Sequence, residues 1–468
     1  MSRPARVAII GLDCAEPSLV FDRFAHRLPN LSALRERGVW GKLRSCEPPI
    51  TVPAWMSMMS GKDPGRLGYY GFRNRADRSY EKMTTATSLA VKEPLLWDFL
   101  GKAGKRAILI GVPQTYPPRP VNGLMVTDFL TPSIESNYTF PPELKAEIAA
   151  LPDVHPYEFD VSDFRANDKA KIRDAITRMT DKRFALARHL VSTRPWDFFM
   201  MVEMGTDRVH HAFWQYMDPT HHRYTAGNPF ESVIEDYYVH VDRKVGELLE
   251  VLPEETHVFV VSDHGAQCME GGIALNQWLV EKGYLVLHDQ PSVPTRLEAL
   301  KVDWAKTTAW GAGGYYGRLF LNVQGREPQG LIPAAEYEST RDRLVAELEA
   351  LGDPEGKPIG TRVHKPEDLY REVRGAAPPD LFVYFGNLRW RSVGTIGGPV
   401  HTFENDTGPD DANHAPEGML IAVGPDIGPK GPVGGMQLMD ITPTVLRLMG
   451  QSVPEDMQGR VIETIAAH

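Results

Sequence analysis

The stretch that most constrains this chain is Val258-Phe259-Val260-Val261-Ser262-Asp263-His264-Gly265. Val258 to Val261 are β-branched or aromatic and read as a strand buried on both faces. The strand stops at an acid, an imidazole and a glycine. In an open α/β sheet, ligands bind beyond the carboxyl ends of the strands. Asp263 and His264 therefore present a carboxylate and a ring nitrogen where chemistry is expected. A second buried run, residues 7–12 (VAIIGL), ends in the same way at Asp13. A third, 197–203 (DFFMMVE), runs into Gly205-Thr206-Asp207-Arg208-Val209-His210-His211.

Between these runs lie helical stretches at 95–103, 168–192 and 233–252, with a further strand at 106–112. Alternating strands and helices predict an α/β fold: a doubly wound, mainly parallel sheet flanked by helices. The pattern changes over 283–378, where a Gly/Tyr loop (311–317), a short strand (319–323) and an amphipathic helix (336–351) suggest an inserted cap subdomain. The expected organisation is a core over 1–282 and 379–468 with the cap between. In that reading the core resumes at the apolar run 380–385 and closes with a strand at 418–424 and a helix at 441–449.

With 468 residues, 42% of them hydrophobic and 24% charged, the chain has the makings of an ordinary soluble globular protein. Its net charge of -10 argues against a nucleic-acid polymer as partner. The apolar start is too short for a signal peptide, and no apolar run of membrane-spanning length occurs. Cys14, Cys46 and Cys268 form no CxxC pair and no even disulfide set, which fits a reduced, cytoplasmic protein without membrane attachment.

Further candidates lie near the strand ends. Asp207 and His211 share one face of a helix by their four-residue spacing, which favours His211 over its neighbour His210. His414 precedes the last strong strand. Thr51, in Pro48-Pro49-Ile50-Thr51-Val52-Pro53-Ala54-Trp55, sits where a proline-stiffened segment enters a helix predicted at 54–60, close to an N-terminus that favours anions. Singly, each has a plainer reading: Asp13 and Thr51 as caps, Asp207 and His211 as a solvated pair, His414 as a loop residue. Together they form a mixed His/Asp set without thiolates. Such a set suits zinc, with manganese also possible.

On GLDCAEP at Asp13, PPITVPAW at Thr51, GTDRVHH at Asp207 and His211, SDHG at Asp263 and His264, and NHAPEG at His414, the chain resembles the alkaline phosphatase superfamily. Its nearest branch is the type I phosphodiesterase/nucleotide pyrophosphatase group with the predicted phosphohydrolase/phosphomutase relatives. The closing DITPTVLRLMG resembles that family's C-terminal helix. The resemblance implies two divalent metal ions about 4 Å apart, clamping an in-line displacement. Asp13, Thr51, Asp263 and His264 would hold one, and Asp207, His211 and His414 the other. It also implies Thr51 as nucleophile through a phosphothreonine, with Asn74, or else Arg73 or Arg75, contacting a phosphate oxygen.

Within the superfamily, sulfatases carry C-x-P-x-R, whereas Cys46-Glu47-Pro48-Pro49-Ile50 lacks the arginine. A threonine nucleophile resembles the phosphodiesterase and phosphonate-hydrolase branches. The expected substrate is a small-molecule phosphate ester, a nucleotide-type diester or pyrophosphate. Alternatives are a monoesterase, a phosphonate hydrolase, a phosphomutase, or a binding scaffold without turnover. Trp310, Tyr315, Tyr316 and Arg318 could stack on a substrate ring or pack within the cap.

Overall fold

The computed structural model describes residues 5–161, 163–425, 427–428 and 431–466. Ten strands build the main sheet among the described residues: Thr139–Phe140, Gly431–Pro432 and Met436–Gln437, which pairs with Val39–Arg44, and seven longer ones, β1 (Arg6–Leu12), β2 (Val39–Arg44), β3 (Ala107–Ile110), β4 (Gly123–Val126), β5 (Phe198–Glu203), β6 (Thr256–Val261) and β7 (Glu417–Val423). Their spatial order is β2-β7-β6-β1-β5-β3-β4, with Gly431–Pro432 and Thr139–Phe140 at the two edges. The run β6-β1-β5-β3-β4 is parallel throughout. β7 runs antiparallel to both β6 and β2. The β-branched and aromatic runs are fully buried because helices cover both faces. Each such side chain contributes roughly 1.5–3 kcal/mol by leaving water.

Four helices matter for the site: α1 (Thr51–Ser60), α2 (Lys169–Thr193), α3 (Gly205–Met217) and α4 (Val233–Leu249). α1 starts at Thr51 itself, three residues earlier than expected, with Ile50 as its extended N-cap. Pro53 lies in its first turn, where a missing N–H costs nothing. α2, α3 and α4 pack against one another. Among the described residues no helix is long and apolar enough to cross a membrane.

β1 packs tightly enough to dictate its sequence. A Cβ on Gly11 would lie 2.5 Å from Trp55 Cη2 and 2.9 Å from Val202 Cγ2. Gly11→Ala is therefore expected to cost about 1–3 kcal/mol by overpacking, read as a lower urea midpoint with an unchanged slope.

A second hydrophobic cluster lies beside this core. It includes Leu279, Trp310, Leu319, Leu344 and Val383. Its antiparallel sheet has the order Ala309–Ala312, Gly317–Leu321, Leu381–Tyr384, Arg362–His364. The Gly/Tyr loop is the turn of the first hairpin, and the expected helix is present as Tyr337–Glu349. The run at 380–385 does not resume the main sheet: Leu381–Tyr384 pairs with Gly317–Leu321 and Arg362–His364. A buried apolar run carries no label for which sheet will bury it. The chain rejoins the main sheet only at β7.

Candidate functional site

Every strand of the parallel run that faces the site delivers its ligand at its carboxyl end. Asp13 follows β1, Asp263 and His264 follow β6, and Asp207 and His211 stand on α3 just after β5. His414 comes from Ala412–Ala415, which pairs antiparallel with Gly265–Cys268 directly after Asp263-His264. Thr51 is the first residue of α1. All of these side chains are buried.

The geometry brings them into one pocket. His211 Nε2 lies 3.1 Å from Asp207 Oδ1 and 3.4 Å from His414 Nε2. His414 Nε2 lies 3.6 Å from the same Asp207 oxygen. His264 Nε2 is 3.2 Å from Asp263 Oδ2, 4.0 Å from Asp13 Oδ1 and 3.4 Å from Thr51 Oγ1. Two groups have donor atoms within 4.8 Å of one another: Asp207, His211 and His414; and Asp13, Asp207 and His264. His210 points elsewhere, with Nε2 3.2 Å from Tyr238 Oη in the helix packing.

The residues fit a pair of cations. Asp13 Oδ1, Asp207 Oδ1 and Asp263 Oδ2 are buried carboxylate oxygens without a hydrogen-bond donor among the described residues. Burying such oxygens without a partner is costly unless a cation sits against them. Their sister oxygens are held. Trp55 Nε1 donates to Asp13 Oδ2 at 2.6 Å, the Cys14 N–H donates to Asp263 Oδ1 at 3.1 Å, and Arg208 Nη1 donates to Asp207 Oδ2. Each histidine is anchored through Nδ1: His211 to Asp410 Oδ1 at 2.7 Å, His414 to the Pro49 carbonyl at 2.8 Å, His264 to the Gly265 carbonyl at 3.1 Å. Donation from Nδ1 leaves each Nε2 with its lone pair toward the pocket, the tautomer a metal ligand needs.

The electrostatics of the metal-free pocket agree. Burial, then the nearby Asp207 charge, pushes the Asp13 carboxyl well above the carboxylate range. Burial and Asp13 do the same to Asp263. Burial lowers His264 to about 4 and, with His264 beside it, takes His414 well down. Burial also opposes ionisation of Asp207, but His211 and Arg208 outweigh it and hold that group well below its usual value. Without counter-charge the pocket keeps protons on some carboxyls and off two imidazoles.

Several supporting residues have no counterpart in the sequence reading. Asp410 holds His211 and is itself held by Arg165 Nε and Arg391 Nη1, both at 2.8 Å. It lies four residues before His414 in a Gly/Pro/Asp loop, so spacing was the one available signal. Arg208 and Trp55 stand inside the quoted motifs. Tyr315 stacks on His414 with ring centroids 4.2 Å apart and on His211 at 5.1 Å. Asp410→Asn is expected to weaken metal affinity roughly 10–100-fold by loosening His211, measured as metal retained on dialysis against graded chelator.

Asn74 lies in Arg73–Arg75, outside this ligand group. Its Oδ1 accepts from the Tyr70 N–H, and one N–H of Nδ2 donates to the Gly71 carbonyl, each at 2.9 Å. One amide N–H is left for a ligand. Arg75 is buried against Glu327 and is committed to the cap. Trp310 and Tyr316 are buried in packing.

The model of the family described as type I phosphodiesterase/nucleotide pyrophosphatase matches residues 7–410. The chain belongs to that family. Membership makes it a hydrolase of the phosphodiesterase and pyrophosphatase class, with the alkaline-phosphatase-type fold. Among solved structures, this phosphodiesterase-family chain is similar to human ectonucleotide pyrophosphatase/phosphodiesterase 5, at 14% identity and TM-score 0.55, covering 96% of each chain. The murine protein of the same name gives 14% identity and TM-score 0.57, covering 96% of this chain and 97% of that one. An inactive threonine-to-alanine variant of the murine protein, in complex with AMP, gives 13% identity and TM-score 0.57, covering 97% of each. None of the curated proteins compared matches the chain.

Proposed function

We propose that the chain is a two-metal phosphodiesterase acting on a small-molecule, nucleotide-type diester or pyrophosphate through a phosphothreonine at Thr51. One observation carries this reading: three donor-free carboxylate oxygens and three inward Nε2 atoms converge beside a hydroxyl at a helix start. When bound, two divalent cations, zinc or manganese, would neutralise the acids, acidify the Thr51 hydroxyl and stabilise charge on the leaving oxygen. Asp13, Asp263, His264 and Thr51 would hold one, and Asp207, His211 and His414 the other.

The chain's own part is positioning. Thr51 Oγ1 forms a bond to phosphorus as the bond to the ester oxygen breaks, and the departing alcohol or phosphate takes up a proton. Water then cleaves the Thr51 ester, restoring the hydroxyl and releasing a phosphate monoester. The N–H groups of Thr51 and Val52 open α1 and have no intrahelical acceptor, so they can donate to a phosphate oxygen, aided by the helix dipole. The remaining Asn74 N–H is our candidate for a second donor. The unpaired thiols of Cys14, Cys46 and Cys268 support a reducing, cytoplasmic setting.

The test is turnover on a substrate panel with metal content measured on the same sample. We expect the p-nitrophenyl ester of thymidine 5′-phosphate and bis-p-nitrophenyl phosphate to exceed p-nitrophenyl phosphate in kcat/KM. The reverse order would make the chain a monoesterase. No turnover in a metal-replete sample would favour a binding scaffold.

A further inference from the structure

A cavity of about 1200 Å³ is lined by the cap together with residues from 73–83 and 391–407, and of its walls the site described above uses Arg391, which holds Asp410. Arg73, the neighbour of Asn74, lies on its wall. Another part of the wall is Gly313, Gly314 and Arg391. Gly314 exchanges backbone hydrogen bonds with Ser392, at 2.8 and 3.0 Å, and the next residue, Tyr315, is the ring stacked on His414 and His211. The cavity wall and the ligand pocket thus share a backbone segment.

The lining is cationic on a chain whose net charge is -10. Arg73, Arg296 and Lys301 are exposed, Arg318 is half-buried, and none of the four forms an ion pair with another described residue. Arg391 is 6% exposed; its Nη1 serves Asp410 and its Nη2 serves Thr407 Oγ1 at 3.1 Å, but its Nε has no partner among the described residues. The acids on the walls are Glu81, Glu298 and Asp406, and Asp406 is engaged by the Gly394 N–H at 3.0 Å. Four cations without an ion-pair partner among the described residues line one concavity, and an anion drawn in would offset their mutual repulsion.

We propose that this cavity is a subsite for an anionic second substituent of the ester, a group bearing a further phosphate or carboxylate. The proposal rests on the phosphodiesterase reading for the word "second", but the anion site itself does not need turnover. Binding of AMP and of adenosine 3′,5′-bisphosphate to the purified protein, followed by calorimetry, isolates one added phosphate. The bisphosphate is expected to bind about tenfold more tightly at low salt, with the gap narrowing at high salt as exposed charges are screened. In the Arg73→Ala/Arg296→Ala/Lys301→Ala variant, which removes only exposed side chains, the gap should close. Equal affinities in the natural chain, or a gap that survives the triple variant, would overturn the subsite. If the gap behaves as expected while no diester is hydrolysed, the subsite stands and the activity reading fails.

Discussion

Thr51→Ala should lower diester turnover by roughly 10⁴-fold or more and leave the metal content nearly unchanged. The size follows from what the hydroxyl does in the proposed reaction. It is the atom that bonds to phosphorus, so its loss removes the covalent route instead of weakening one contact. The small effect on metal follows from the rest of the pocket. Asp13, Asp263 and His264 remain on one side, and Asp207, His211 and His414 on the other. Thr51 is also the first residue of α1, where alanine is tolerated, since the N-cap is Ile50 and makes no side-chain cap bond. The variant should therefore fold, bind product-like nucleotides and fail to turn over. Burst kinetics with a p-nitrophenyl diester make the test sharper: the natural chain should show phosphorylated Thr51 on rapid acid quench, and the variant none. Turnover by the variant at a rate near that of the natural chain would mean that the nucleophile is something other than Thr51.

The sequence was most informative where local rules and the fold agree. β1, β5 and β6 are apolar runs containing β-branched or aromatic residues, and such runs need burial on both faces. A parallel sheet then presents whatever follows each strand along one edge, so Asp13, Asp207, Asp263 and His264 could be collected before their distances were known. The four-residue helical spacing separated His211 from His210 for the same geometric reason. Legibility failed where identity depends on partners distant in sequence. Leu381–Tyr384 has the same apolar character as a core strand, yet it pairs with Gly317–Leu321. Asp410 sits in a loop without periodicity, and only the fold brings it to His211 Nδ1. For Trp310 and Tyr316 the glycine-rich stretch left stacking on a substrate and packing both open; they pack, whereas their neighbour Tyr315 lies against His414 and His211. Asn74 is a candidate for contacting a phosphate oxygen in the sequence, and only the fold reveals the two local hydrogen bonds that fix its amide plane.

Removing the metals should make the protein's stability fall as pH turns alkaline. In the metal-free pocket, Asp13 and Asp263 have raised values, chiefly from burial. His211 is also raised: burial opposes its protonation, but Asp410 and Asp207 outweigh it. A group whose folded value is raised contributes stability below its unfolded value and loses it as pH climbs through the folded value. His264 and His414 are lowered, so their contribution is present above the ordinary imidazole value and lost as pH falls below it. Below about pH 6.5, the two sets oppose one another. Above it, His264 and His414 are neutral in both states, and the raised groups alone decide the sign. The chelated protein should therefore lose stability as pH rises from neutral toward 9. With metal bound, the acids are ionised and compensated, so that loss should disappear, and the stabilisation by metal should grow with pH. Metal binding must also expel protons from the pocket, roughly one or more per protein near neutral pH, which calorimetry in buffers of different ionisation enthalpy measures directly. Parallel melting curves with and without chelator across this range, together with zero proton release, would exclude these acids and His211 as the ligands. No assumption about the substrate enters: without metal, burial favours the protonated forms of Asp13 and Asp263, while Asp410 and Asp207 outweigh burial to favour that of His211.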